Sequence, residues 1–156
     1  MRPEVSIERM AWQRMWGRAQ GLGWRTLALV PGDDSTSTLE VANLIARLSL
    51  EQGDAVHVAD MRALRPKSVH AFLDGMRLEA ARGTRIVIAT RSTATSMATA
   101  PIARAADCAI LCASIGSTSL VSIKETVAQI GRRHFLGSLL VSAAEHPPPR
   151  GGRALR

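Results

Sequence analysis

At 156 residues the chain is long enough for one domain with a real hydrophobic core, and its 46% apolar and 21% charged content is ordinary for a folded globular protein. No apolar run approaches the ~20 residues of a membrane-spanning helix, and the N-terminus, with Glu4 and Glu8, lacks a signal-peptide apolar region, so a cytoplasmic protein is expected, at most peripheral at the inner membrane. The net charge of +7 sits on the ends: residues 1–25 hold five Arg against two Glu, residues 132–156 five Arg against one Glu, and the stretch between is balanced, which favours docking by the termini over a basic face on the domain.

In chain order, Ser6 to Arg18 is predicted helical, with Met10, Trp12, Met15 and Trp16 as a broad apolar face broken by Gly21 and Gly23. Arg25 to Val30 reads as the first buried strand. Thr38 to Gln52 is the clearest helix, with Leu39, Ala42, Leu44, Ile45 and Leu48 apolar and Gly53 ending it. A short strand over Ala55 to Ala59 precedes a helix from Lys67 to Arg82, which Gly83 stops. Thr84 to Ala89 is a third strand, the Ser/Thr-rich Arg91 to Thr99 a loop, and Ile102 to Ala106 a short helix. Strand Ala109 to Ala113, helix Ser119 to Arg132 and strand His134 to Val141 complete the pattern. Strands that are continuous apolar runs, alternating with helices, predict an α/β fold: a doubly wound, mostly parallel sheet covered on both faces. The expected organisation is an N-terminal helical segment (1–24), an α/β domain (25–142) and a disordered basic tail (143–156), whose Pro147-Pro148-Pro149 run forms no element. Cys108 and Cys112 read as reduced core residues, since no cluster supplies further metal ligands.

The loop after the first strand is the most informative segment. Leu27-Ala28-Leu29-Val30 runs into Pro31-Gly32-Asp33-Asp34-Ser35-Thr36-Ser37-Thr38 and then the helix, which is the strand–loop–helix context of a phosphate-binding P-loop, G-x-x-x-x-G-K-[ST]. On that frame Pro31 replaces the first glycine, Thr36 the second and Ser37 the lysine. Only Thr38, at the Mg²⁺-ligating hydroxyl, keeps its type. The glycines let backbone approach phosphate and the lysine neutralises it. Asp33 and Asp34 instead bring negative charge, costing a few kcal/mol each at ~4–5 Å in a surface-like dielectric.

The chain resembles the cytoplasmic kinase-like domains of bacterial polysaccharide assembly, the bacterial tyrosine kinases, within the deviant P-loop group that includes the partitioning and septum-site ATPases. The residues that carry the resemblance run from 8 to 142. The most specific are Val56-His57-Val58-Ala59-Asp60-Met61-Arg62 followed by Arg65-Pro66-Lys67-Ser68-Val69-His70, against a family strand ending D-x-D-x-R and then R-P-S-x-H. Arg85 to Ser92 is similar to the Walker B strand, and Ala106-Asp107 to the pair before the next strand. The departures fall on the chemistry. The lysine is Ser37, the first aspartate of D-x-D is Val58, the Walker B aspartate is Ala89, the segment between His70 and Thr84 is shortened, and no tyrosine exists to be phosphorylated. Together these remove phosphate neutralisation, metal coordination and hydroxyl activation.

The resemblance and its losses imply a degenerate P-loop NTPase-like pseudo-enzyme, an adaptor or regulator in bacterial exopolysaccharide, cellulose or capsule synthesis or export. No catalytic residue, cofactor or metal is expected, Thr36, Ser37, Thr38 and Asp60 being remnants. Its expected partner is a membrane polysaccharide synthase or copolymerase, a homologue, or a second copy. All three Trp lie in the N-terminal segment, so Trp12, Met15, Trp16 and Trp24 are the candidate interaction residues, with folding back onto the sheet as the competing reading. Two alternatives stand beside this one. One is a divergent nucleotide hydrolase or kinase using Thr38 and Asp60. The other is a partitioning-type protein binding DNA through its basic ends, although a domain body without aromatic stacking platforms argues against nucleic acid.

Overall fold

The computed structural model describes residues 5–6 and 9–143, with side chains from Gln13 to Ser142. The elements are β1 (Val5–Ser6), α1 (Arg9–Gly21), β2 (Thr26–Pro31), α2 (Thr38–Glu51), β3 (His57–Asp60), α3 (Val69–Ala81), β4 (Ile86–Ala89), α4 (Thr99–Ala105), β5 (Cys108–Ser114), α5 (Leu120–Ile130) and β6 (Phe135–Ala143). They form one sheet in the order β1-β6-β5-β2-β4-β3. β3, β4, β2, β5 and β6 are mutually parallel, and β1 adds antiparallel to the end of β6. The expected α/β architecture is the one observed.

The apolar runs are buried because both faces are covered. Every residue of β2 and β4 is buried. Side chains of a strand alternate, so Leu27 and Leu29 enter one core with Val87, Ile110, Cys112, Trp16 and the α2 residues Val41, Ala42 and Ile45. Ala28 and Val30 enter the other with Ile88, Ala109, Leu73 and Met76 of α3, Ile102 of α4 and Ile130 of α5. Each fully buried Leu or Ile is worth roughly 1.5–3 kcal/mol. The chain leaves β2 toward the β3 edge and later crosses to β5 on its other side, so the carboxyl end of β2 is the switch point where open α/β sheets bind ligands. At the opposite end, the Asp107 carboxylate accepts hydrogen bonds from the amides of Arg25 (2.6 Å) and Thr26 (2.9 Å), stapling the start of β5 to the start of β2.

Some expected boundaries move. Ser6 belongs to β1 and not to a helix, and α1 runs on to Gly21. The expected Lys67–Arg82 helix begins with a 3-10 turn, Pro66–Ser68, because proline has no amide to donate and starts a turn readily. β3 starts two residues late and is partly exposed, as an edge strand is. The tail beyond Ala143 and the side chain of Trp12 lie outside the described residues.

Candidate functional site: a closed nucleotide-loop position

Three loops meet at the carboxyl ends of the central strands: 32–37 after β2, 90–98 after β4 and 115–119 after β5. Side chains of the chain itself tie them together. Thr38, at the metal-ligand position, is 1% exposed, and its Oγ1 donates to the Thr90 carbonyl at 2.5 Å. Thr90 in turn donates to the Leu29 carbonyl at 2.8 Å. The one loop position that keeps the residue type of the P-loop pattern is therefore tied to the ends of the central strands. Thr36, at the second glycine, is buried, with its hydroxyl 2.6 Å from that of Ser114 at the end of β5. Ser37, at the lysine position, is the N-cap of α2 and accepts from the Glu40 amide at 3.5 Å.

The two aspartates are engaged as well. Asp33 Oδ1 accepts from the Ser35 amide at 3.1 Å, from the Ser35 hydroxyl, and from Thr118 Oγ1 at 3.3 Å. Thr118 Oγ1 also accepts from the Ser114 amide at 2.9 Å. Asp34 Oδ1 accepts from the Ser92 amide at 3.2 Å. Burial opposes the charge on Asp34, but hydrogen bonds from Thr95 and Ser92, with Arg91 nearby, outweigh it and hold its pKa below the usual carboxylate value. The segment Arg91 to Thr99, expected as a solvated loop, is thus partly inside: Ser92 and Thr99 are buried, and Thr99 donates to the Arg91 carbonyl at 2.7 Å.

A phosphate cradle needs backbone amides turned toward one point by left-handed residues. None of residues 31–38 has a positive φ. Gly32, the one glycine left, serves packing instead. A Cβ there would lie 2.7 Å from Thr118 Cγ2 and 3.3 Å from Ile123 Cγ1, so an added methyl would force the loop before α5 and α5 itself to shift. Asp60, at the end of β3, is held by Arg62 through a forked pair at 2.8 and 3.0 Å. That hydrogen-bonded guanidinium, the largest influence, keeps the carboxyl below its usual range. Asp60 is therefore engaged in a local salt bridge. No group of three or more His, Cys, Asp or Glu suited to a metal occurs among the described residues.

Trp16 and Trp24 follow the competing reading of the N-terminal segment, folding back onto the sheet. Trp16 and Trp24 are 4% and 2% exposed, packed edge to face with ring centroids 5.5 Å apart. Arg85 lies over the Trp24 ring at 5.4 Å. Both rings belong to the core under α1, and Met15 packs partly buried against it. The physical reason is area: a Trp beside a sheet face, whether on α1 like Trp16 or just after it like Trp24, removes more apolar surface from water by folding inward than by waiting for a partner. Sequence reasoning missed the partners of the loop, Ser92, Ser114 and Thr118. Their one signal is the Ser/Thr richness of the loops after β4 and β5, which carries no spacing rule.

No protein-family model matches the chain, and no curated protein matches it. Twelve chains among solved structures do. One is the crystal structure of the VpsO kinase domain, with a TM-score of 0.60 and 15% identity over 84% of this chain and 97% of that one. At that identity the likeness is one of fold: a parallel α/β sheet flanked by helices, as in that kinase domain.

Proposed function

We propose that the chain is a non-catalytic relative of the polysaccharide kinase-like domains, acting by protein binding as an adaptor or regulator in bacterial polysaccharide synthesis or export. The observation that carries this reading is the closure of the nucleotide-loop position by the chain's own side chains. The hydroxyl of Thr38 is spent on Thr90, the Thr36 hydroxyl on Ser114, and Asp34 on Ser92. No lysine stands in the loop and no left-handed glycine shapes it. A polyphosphate entering there would have to break these bonds and face two carboxylates, with little gained in return. The hydrolase alternative draws no support from Thr38, which is buried, or from Asp60, which Arg62 holds.

The polysaccharide setting rests on the sequence resemblance, with a fold likeness to a kinase domain beside it. The partner on this reading is a membrane synthase or copolymerase, a kinase-like homologue, or a second copy. Calorimetric titration with ATP, ADP and GTP, each with Mg²⁺, tests the reading. Heats indistinguishable from dilution are expected. A dissociation constant tighter than ~100 µM, about −5.5 kcal/mol, refutes it.

A further inference from the structure

Among the described residues the helix layer over the second core stops short of β6. α3, α4 and α5 cover β3, β4, β2 and β5 on that side. The crease between α5 and β6 is a groove of about 710 Å³. Its floor is Leu111, Ile123, Val127 and Phe135, and its rim carries Lys124 and Arg132. Arg133 adjoins it, and Glu125, the one carboxylate of α5, is not in its lining.

The apolar stripe continues past the groove. Leu120 lies four residues before Lys124 on α5, so it shares that face of the helix. Leu140 lies two residues after Ser138 on β6, so it shares that face of the strand. α5 and β6 run in opposite directions, which brings these two positions to the same end of the crease. Leu120 is 68% exposed and Leu140 62%. The stripe follows the whole of α5, about 16 Å at 1.5 Å per residue.

We propose that this crease is the docking site for an amphipathic helix of another protein, apolar toward the floor and acidic toward Lys124 and Arg132. The occupant sits at the depth of the helix layer, beside α5, where helices pack with axes about 8–10 Å apart. Charge selects among occupants. The sequence of the chain's own tail carries Arg150, Arg153 and Arg156 against Glu145, the same sign as Lys124 and Arg132, and so lacks the complementary charge. A second copy using the same patch would set Lys124 and Arg132 against themselves. A concave apolar floor suits a helix better than a flat bilayer. The proposal rests on the protein-binding reading and names its surface.

The test uses the full chain and a labelled 14-residue helical peptide with Leu at i, i+3, i+4 and i+7 and Glu on the flanks, read by fluorescence anisotropy. An isomer with Lys in place of the Glu serves as its counterpart. The Glu peptide is expected to bind at ~1–100 µM and the Lys peptide at least tenfold more weakly. Lys124→Glu with Arg132→Glu, both at exposed sites, should reverse that order without changing the melting temperature. Val127→Asp should abolish binding of both. Three results overturn the proposal: equal affinity for the two peptides, an order untouched by charge reversal, or no binding up to ~1 mM. It is equally overturned if light scattering shows a dimer that Val127→Asp dissociates, or if the chain binds vesicles containing phosphatidylserine but not the peptide. Nucleotide titration fails or succeeds independently: tight ATP binding removes the non-catalytic reading, and peptide failure without ATP binding removes only this surface.

Discussion

Replacing Thr38 by Val separates a ligand-facing hydroxyl from a structural one. The two side chains share a shape, so the change removes only the hydroxyl and its bond to the Thr90 carbonyl, in a site 1% exposed. Deleting a buried donor and stranding its acceptor costs about 1–3 kcal/mol. For a chain of this size each kcal/mol moves the melting temperature by roughly 2–4 °C, so a fall of roughly 2–12 °C is expected. Differential scanning fluorimetry with and without Mg·ATP reads both possibilities at once. A ligand present at a hundred times its dissociation constant adds about 2.7 kcal/mol to the folded state, so a working loop would show a wild-type rise that Thr38→Val loses. The structural reasoning is refuted if the variant melts with wild type in buffer and differs from it only when Mg·ATP is present.

Trp16→Ala and Trp24→Ala should each destabilise the fold by about 3–5 kcal/mol and leave the mass in solution unchanged, as thermal melts with light scattering will show. Gly32→Ala should cost about 1–3 kcal/mol in urea unfolding, because the new methyl meets Thr118 and Ile123. The pKa values of Asp34 and Asp60 are lowered in the folded state, so the unfolded chain binds more protons as the solution turns acid. Their stabilisation is present above the ordinary carboxylate range and is lost as pH falls below it. Urea midpoints from pH 7 to 3 should therefore drop more steeply in the wild type than in Asp34→Asn. Burial pushes the Cys108 thiol up to about 11, with Asp107 adding to it, and the Cys112 thiol up to about 12. Neither should react with a thiol reagent at pH 8 until the protein is denatured.

The order of helices and strands was legible because the strands here are unbroken apolar runs and glycines mark the helix ends. Gly53 and Gly83 each follow a helix with positive φ, whereas the expected Ser119–Arg132 helix ran through Gly131, where the structure ends it at Ile130. β1 was not legible: two residues hold no period, and only pairing with Ser142 and Ala143 makes them a strand. The departures from the P-loop pattern at Pro31, Thr36 and Ser37 were legible, because each position of that pattern demands one residue type. The hydrogen bonds that these loop residues make were not. The Asp34–Ser92 and Thr36–Ser114 bonds join residues 58 and 78 positions apart, and a hydroxyl in a loop does not declare its partner. The tryptophans were ambiguous for a different reason. A helix face rich in Trp looks the same in sequence whether it meets a partner or its own sheet, and only the packing of Trp16 and Trp24 into the core tells the two apart.

The tied loops have a consequence for signalling. In a nucleotide switch the loops around the phosphate are loose in one state and gathered in another, and the ligand chooses between them through its unequal affinity for the two. Here the ties run from Thr38 to Thr90, from Asp34 to Ser92 and from Thr118 to Asp33, and they belong to the polypeptide, so they are made when the chain folds. A gathered state that needs no ligand leaves a nucleotide no population to shift. On the non-catalytic reading the protein is constitutively in one form, and whatever information it carries lies in how much of it is present and which surface a partner finds open.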